Sequence, residues 1–240
     1  MAIIKGLVEY NGTKYSGWQK QNNSNSIQAE IENALSTVLK TKIHIVGAGR
    51  TDAGVHALNQ VFHFQYDDEV DLYLLKKSIN SILDDDISIK SLEFEKDNFH
   101  ARYSAKSRTY LYIISLEKNV FFNKFSWVIY SKLDANRLNE IEKIFIGKMN
   151  FGSFCKGVNE VENTVCNVIY SRWFKKHDMI FYFITADRFI HGMVRGIVGT
   201  SVEYARGKLN INDIQSILAG KRRSPLWAPS KGLFLYEIKY

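Results

Sequence analysis

The sequence predicts an α+β protein made of two tandem halves, each running β-α-β-β-α-β. Three observations carry that prediction. Apolar residues switch between a period of two and a period of 3.6, in the same order twice along the chain. Only two Pro occur among 240 residues, and no run rich in Pro or Gly separates the repeats. With 45% hydrophobic residues, a chain of this length can also bury a core without disulfides or metals.

Ala2–Tyr10 (AIIKGLVEY) reads as the first strand, and the polar run Asn11–Asn25 after it reads as a loop. A helix should start near Ser26, because Ile27, Ile31, Ala34, Leu35, Val38 and Leu39 fall on one side of a 3.6-residue period. Lys42–Gly47 (KIHIVG) and Gln60–Tyr66 (QVFHFQY) alternate and are rich in β-branched and aromatic residues, so both are expected as strands. Asp71 can cap a second helix with Leu72, Leu75, Ile79, Ile82 and Leu83 on one face. The acidic turn Asp84–Asp86 leads into a strand Ile87–Phe94.

The second half repeats the order. Thr109–Ser115 is a strand, and Asp134 caps a helix through Leu138, Ile141, Ile144 and Phe145 that Gly147 can end in the left-handed conformation. Val165–Phe174 and Met179–Ala186 are strands joined by the charged turn Lys175–Asp178. Ile190, Met193, Val194, Ile197 and Val198 mark a fourth helix, Asn212 starts a short fifth ending at Gly220, and Leu233–Tyr240 is the last strand. Each half matches the ferredoxin-like split arrangement, an antiparallel sheet with helices on one face. The boundary is expected near Asp97–Ala105, with halves of residues 1–104 and 105–240 around a central basic cleft.

Thirty-two Lys and Arg against 25 Asp and Glu leave a net charge of +7, which favours a polyanionic partner because each phosphate contact releases counterions. Two cysteines are too few for a disulfide framework, and no leader or apolar run of about 20 residues is visible, so a cytoplasmic protein with no membrane contact is expected. No Cys-x-x-Cys or His-Glu-x-x-His spacing occurs, and the Asp84–Asp86 turn needs no ion; neither a metal nor an organic cofactor is expected.

The segment richest in chemistry is Gly47–Ala57 (GAGRTDAGVHA). Its glycines allow positive φ and close backbone approach. A phosphate loop would end in Gly-Lys-Ser/Thr, and the dinucleotide pattern is broken where Asp52 stands in place of the third Gly. An ordinary hairpin loop capped by its Asp is the plainer alternative. Against it, Arg50 lies two residues from Asp52 and can keep the carboxylate ionised and aimed, as a nucleophile or general base requires. Tyr110 and Tyr112 share one face of their strand, Arg195 lies off the apolar stripe of the fourth helix, and Gly192, Gly196 and Gly199 in that helix call for close approach of a backbone or of RNA.

That segment, with Tyr10–Gln19 (YNGTKYSGWQ), Phe99–Tyr110 (FHARYSAKSRTY), His191–Arg195 (HGMVR) and Ala228–Leu233 (APSKGL), resembles the bacterial tRNA pseudouridine synthase A family from Ile3 to Tyr240. The resemblance implies an isomerase that converts uridine to pseudouridine at positions 38, 39 and 40 of the tRNA anticodon stem-loop, acting as a homodimer. It makes Asp52 the catalytic nucleophile and Tyr110 the aromatic that stacks on the flipped uracil. Arg195 becomes the basic residue that pairs with Asp52 across the halves, and Arg50, Tyr110 and Arg195 the substrate-binding set. Asp52 could attack C1′, add to C6 or remove a sugar proton, and the residues do not choose. The family pattern has His at Gly192, Asn at Gly196 and small residues at Leu226-Trp227, so this chain departs there. Rival readings are a non-catalytic ferredoxin-like RNA-binding module and a hydrolase pairing Asp52 with His56.

Overall fold

A computed structural model describes residues 2–21, 24–131 and 133–240; Asn22 and Asn23 of the expected loop lie outside the described residues. It is a mixed α and β protein with, among the described residues, ten strands and five α-helices. Strand β1 spans Ala2–Tyr10, helix α1 Ile27–Leu39, β2 Val46–Gly47, β3 His56–Tyr66, α2 Leu72–Asn80 and β4 Ile87–Glu95. Ser26 caps α1 by accepting the Ala29 N–H, and Lys40 ends it at φ 52°. Ile27, Ile31, Ala34 and Leu35 are buried, as the period requires.

The expected strand Lys42–Gly47 shrinks to two residues, because α1 takes the hydrogen bonds that a ladder would have used. The Ile43 N–H donates to Ser36 Oγ (2.9 Å) and the Ile45 N–H to the buried Glu32 carboxylate (3.1 Å), while Gln28 Nε2 donates to the Ile45 carbonyl (3.1 Å). Helix α2 likewise stops short of Ile82 and Leu83. Asn80 turns its amide onto β4, bonding the Ile89 N–H and C=O at 2.8 and 2.9 Å, and Ile82 stays exposed.

The second run holds β5 Ser107–Ser115, β6 Trp127–Val128, α3 Ala135–Ile141, β7 Gly147–Asn150, β8 Val165–Lys176, β9 Met179–Ala186, α4 Met193–Ala205, α5 Ile211–Leu218 and β10 Leu233–Lys239. Asp134 caps α3, which tightens to a 3-10 turn at Glu142–Phe145, where the Glu142 carboxylate accepts the Trp173 N–H of β8 at 3.0 Å. Gly147 has a positive φ of 119° but opens β7 rather than closing a helix. Lys175 and Lys176 belong to β8, leaving the turn to His177 and Asp178. Helix α5 starts ahead of the expected Asn212: Asn210 is its cap and forms a capping box with Asp213. Gly192 does not lie inside α4. It is the residue before it, at φ 74°, a backbone state glycine adopts at little cost.

Contacts divide the chain into a unit of Met1–Lys106 with Leu235–Tyr240 and a unit of Ser107–Phe234. In the first, the sheet order is β4-β1-β3-β10, with β2 also on β3. Strand β1 pairs antiparallel with both neighbours, Ile4 facing Phe64 and Phe94. A register shift between Val8 and Tyr10 sets Tyr10 opposite Ala57. In the second, the order is β5-β9-β8-β7, with β6 parallel on β5. No helix among the described residues is long and apolar enough to cross a membrane.

Candidate active site

Asp52 stands in the loop between β2 and β3. The loop is pinned at its base, where the Ala48 N–H donates to Val61 O (2.8 Å) and Gln60 Nε2 to Gly49 O (2.9 Å). It closes in a turn: the Val55 N–H donates to Asp52 O (3.1 Å), with Gly54 at φ 73° in the third position, where positive φ favours glycine. Thr51 and Val55 are buried, Arg50 is exposed and Asp52 is half-buried. Asp52 therefore sits half-buried on a fixed turn, which holds a reacting group in place.

A second loop, residues 11–18, supports the first. The Trp18 N–H donates to Thr51 O (3.1 Å), the Gly54 N–H to Tyr15 O (3.3 Å) and the Gly12 N–H to His56 Nδ1 (3.1 Å). Gly17, at φ 103°, passes so close that a Cβ there would lie 2.5 Å from Thr51 O. Tyr10 shares a 2.8 Å hydrogen bond with Thr51 Oγ1, and burial pushes its phenol well above the ordinary 10, so it stays neutral. Burial, reinforced by the negative charge of Asp86, pushes Tyr15 up to about 12. The motif spacing does not reveal this support; its signal in the sequence is Tyr15 and Trp18, two aromatics inside a polar run, which are 4% and 2% exposed. His56 is buried and accepts the Gly12 N–H on Nδ1, which leaves the hydrolase alternative without that nitrogen as a base.

The remaining predicted residues belong to the second unit. Tyr110 on β5 is half-buried, its ring 5.1 Å from that of Phe189 and nearly perpendicular to it. Tyr112 is fully buried and donates its hydroxyl to Pro229 O (2.8 Å); burial raises its phenol, with the positive charge of Arg195 acting against the rise. Of the two, Tyr110 is the less buried. Arg195 lies in the first turn of α4, half-buried, and donates Nε–H to Ala228 O (2.7 Å), while the Ala228 N–H returns a bond to Arg195 O (3.0 Å).

The glycines of α4 face protein. A Cβ on Gly199 would lie 2.0 Å from Leu226 O, and one on Gly196 would lie 3.0 Å from Phe154 O and 3.2 Å from Trp227 Nε1. Most of the late cations are engaged as well. Arg206 and Lys208 share Glu203 (3.1 and 3.0 Å), Arg222 pairs with Asp213, and Arg223 donates to the Cys155 carbonyl. Cys155 and Cys166 are buried and not joined to each other.

A family model described as tRNA pseudouridine synthase matches residues 7–104 and 141–240. The chain is 37% identical over 238 residues to tRNA pseudouridine synthase A of Bacteroides thetaiotaomicron, covering 97% of this chain and 88% of the relative. It is 39% identical to the protein of that name in Dictyoglomus thermophilum, over 97% of each chain. With that of Thermodesulfovibrio yellowstonii the identity is 38%, over the whole of both.

Proposed function

The chain belongs to the tRNA pseudouridine synthase family, and from that membership we propose that it isomerises uridines 38, 39 and 40 in the anticodon stem-loop of tRNA, with Asp52 as nucleophile. The single observation that supports this most is the Asp52 turn: a half-buried aspartate on a loop braced at Ala48, Thr51 and Val55. Rigid positioning of one reactive group is what a reaction with no outside group donor needs.

The chemistry balances within the substrate. The N1–C1′ bond breaks, the uracil turns, a C5–C1′ bond forms, and the proton lost from C5 is replaced by one at N1. Nothing is oxidised or reduced, so neither a metal nor an organic cofactor enters the proposal. A carboxylate can start the sequence as nucleophile. The uridine must leave its stack, at a cost of a few kcal/mol. Tyr110 offers the uracil an aromatic face and a phenol able to take the C5 proton, while Arg50 and Arg195 supply positive charge for the carboxylate and the RNA backbone. Within this reading each half is a ferredoxin-like unit, residues 1–104 carrying the Asp52 loop and 105–240 carrying Tyr110 and Arg195. The working enzyme is a cytoplasmic homodimer.

Carbodiimide or mass-spectrometric mapping of unmodified tRNA incubated with purified protein tests the reading. Pseudouridine at positions 38–40 with substrate mass unchanged is expected; modification elsewhere in the tRNA, or none, overturns it.

A further inference from the structure

Leu226-Trp227 and the glycines of α4, taken together, define one device. Residues 224–228 run against the glycine face of the helix: Ser224 Oγ donates to Gly196 O (3.1 Å), Leu226 O occupies the space a Gly199 side chain would take, and the Ala228 N–H reaches Arg195 O (3.0 Å). The Trp227 indole lies over the start of the same face, its Nε1–H donating to Phe154 O at 3.1 Å. A Cβ on Gly192 or on Gly196 would lie 3.2 Å from that nitrogen, and the Arg223 guanidinium lies 5.6 Å from the indole ring. The next residue along, Ala228, presents the carbonyl that receives Arg195 Nε–H at 2.7 Å.

We propose that Trp227 is a positioning residue for Arg195. A guanidinium is a planar fork, so once Nε–H is committed to a carbonyl the direction of its two outer nitrogens follows from where that carbonyl sits. Ala228 O is placed by the segment on either side of it, and the large side chain anchoring that segment is Trp227. At Gly196, and at Gly192 just before the helix, the missing Cβ leaves room for the indole nitrogen alongside Phe154 and Lys156. Removing the indole leaves the carbonyl free to shift by a fraction of an ångström and swings the outer nitrogens of Arg195 with it. A misplacement of that size is costly in catalysis and cheap in binding.

Steady-state kinetics on an unmodified tRNA transcript decide the matter, with Trp227→Ala, Trp227→Phe and Gly196→Ala each made alone and in an Arg195→Ala background. Trp227→Ala should lower kcat about 10- to 100-fold and leave KM within about threefold, since only the transition-state contact is misplaced. Trp227→Phe, which keeps a ring on the glycines, should recover activity to within about fivefold of the parent. In the Arg195→Ala background none of the three should change the rate more than about twofold, because residues acting as one unit are not additive. A parental kcat for Trp227→Ala, or an equal loss with and without Arg195, overturns the inference. Should circular dichroism show Trp227→Ala unfolded, Gly196→Ala is judged by the same two criteria, its methyl group pressing on the indole from the helix side. The inference rests on the proposed reading, and the two fail differently. A parent enzyme that makes no pseudouridine overturns both, whereas an active parent with additive losses overturns this one alone.

Discussion

Asp52 is one carboxylate among many groups that would meet a tRNA, and its contribution to binding is correspondingly small. Asp52→Asn should abolish pseudouridine formation while leaving the Kd for tRNA within about tenfold, measured by filter binding beside product mapping. Turnover near that of the parent would remove Asp52 from the mechanism. For Arg195, Lys keeps the charge and loses the fork, so Arg195→Lys should retain partial activity. Arg195→Ala should cost ~2–4 kcal/mol of transition-state stabilisation, a rate loss of roughly 30- to 1,000-fold in single-turnover assays. Combining it with Asp52→Asn should add little. At this scale the Asp52 loop stands out in the sequence by its glycines and by Arg50 two residues from Asp52, whereas the roles proposed for Tyr110 and Arg195 come from the family resemblance and not from spacing. The reason for the helix glycines is legible in neither. Gly196 and Gly199 each cost the helix ~1 kcal/mol against Ala. What offsets that is close contact with Phe154, Leu226 and Trp227, residues far enough away along the chain that no local pattern announces them.

Helices α1 and α2 are readable from their caps and apolar periods, and β1 and β4 from alternation. Lys42–Ile45 departs from its expected strand because alternation says nothing about competition for backbone hydrogen bonds, and here Glu32, Ser36 and Gln28 of α1 win it. Gly192 falls outside its expected helix because a residue one step before a helix shares its periodicity. Strand β3 carries a pH dependence. His63 is buried and accepts the Ala101 N–H on Nδ1 (3.2 Å); burial lowers its pKa below the ordinary 6.5, the His100 ring 4.9 Å away adds to the lowering, and a bond to the Val46 backbone opposes it. A histidine lowered in the folded state binds more protons when unfolded. Stability is therefore full above about 6.5 and falls as pH drops from there toward the folded value. Urea denaturation across roughly pH 5–7 should show that loss, and His63→Gln should flatten it; an unchanged slope in the variant would assign the acid sensitivity elsewhere.

Across the whole molecule the surplus of seven positive charges sets the approach to RNA, but pairing within the protein narrows which cations are available. With Arg206, Lys208 and Arg222 committed to Glu203 and Asp213, phosphate contacts fall to the remaining Lys and Arg. The log of the tRNA association constant should fall linearly with log salt, by about 0.7–0.9 for each phosphate contacted, with several contacts in all; a flat response would argue against a basic face. The order of elements has its own consequence for how the chain is made. Strand β10 completes the sheet of the first unit beside β3, with Lys239 O accepting the Lys106 N–H (2.8 Å) and Tyr240 donating its hydroxyl to Ala101 O (2.8 Å). On a ribosome adding ~5–20 residues per second, that unit must wait for the intervening ~130 residues of the second, roughly 6–26 s. For those seconds the flank of β3 stands as an open edge, available to any other extended strand nearby. The Asp52 loop, braced by bonds among residues 10–61, can thus close on itself well before the strand that covers the edge of β3 exists.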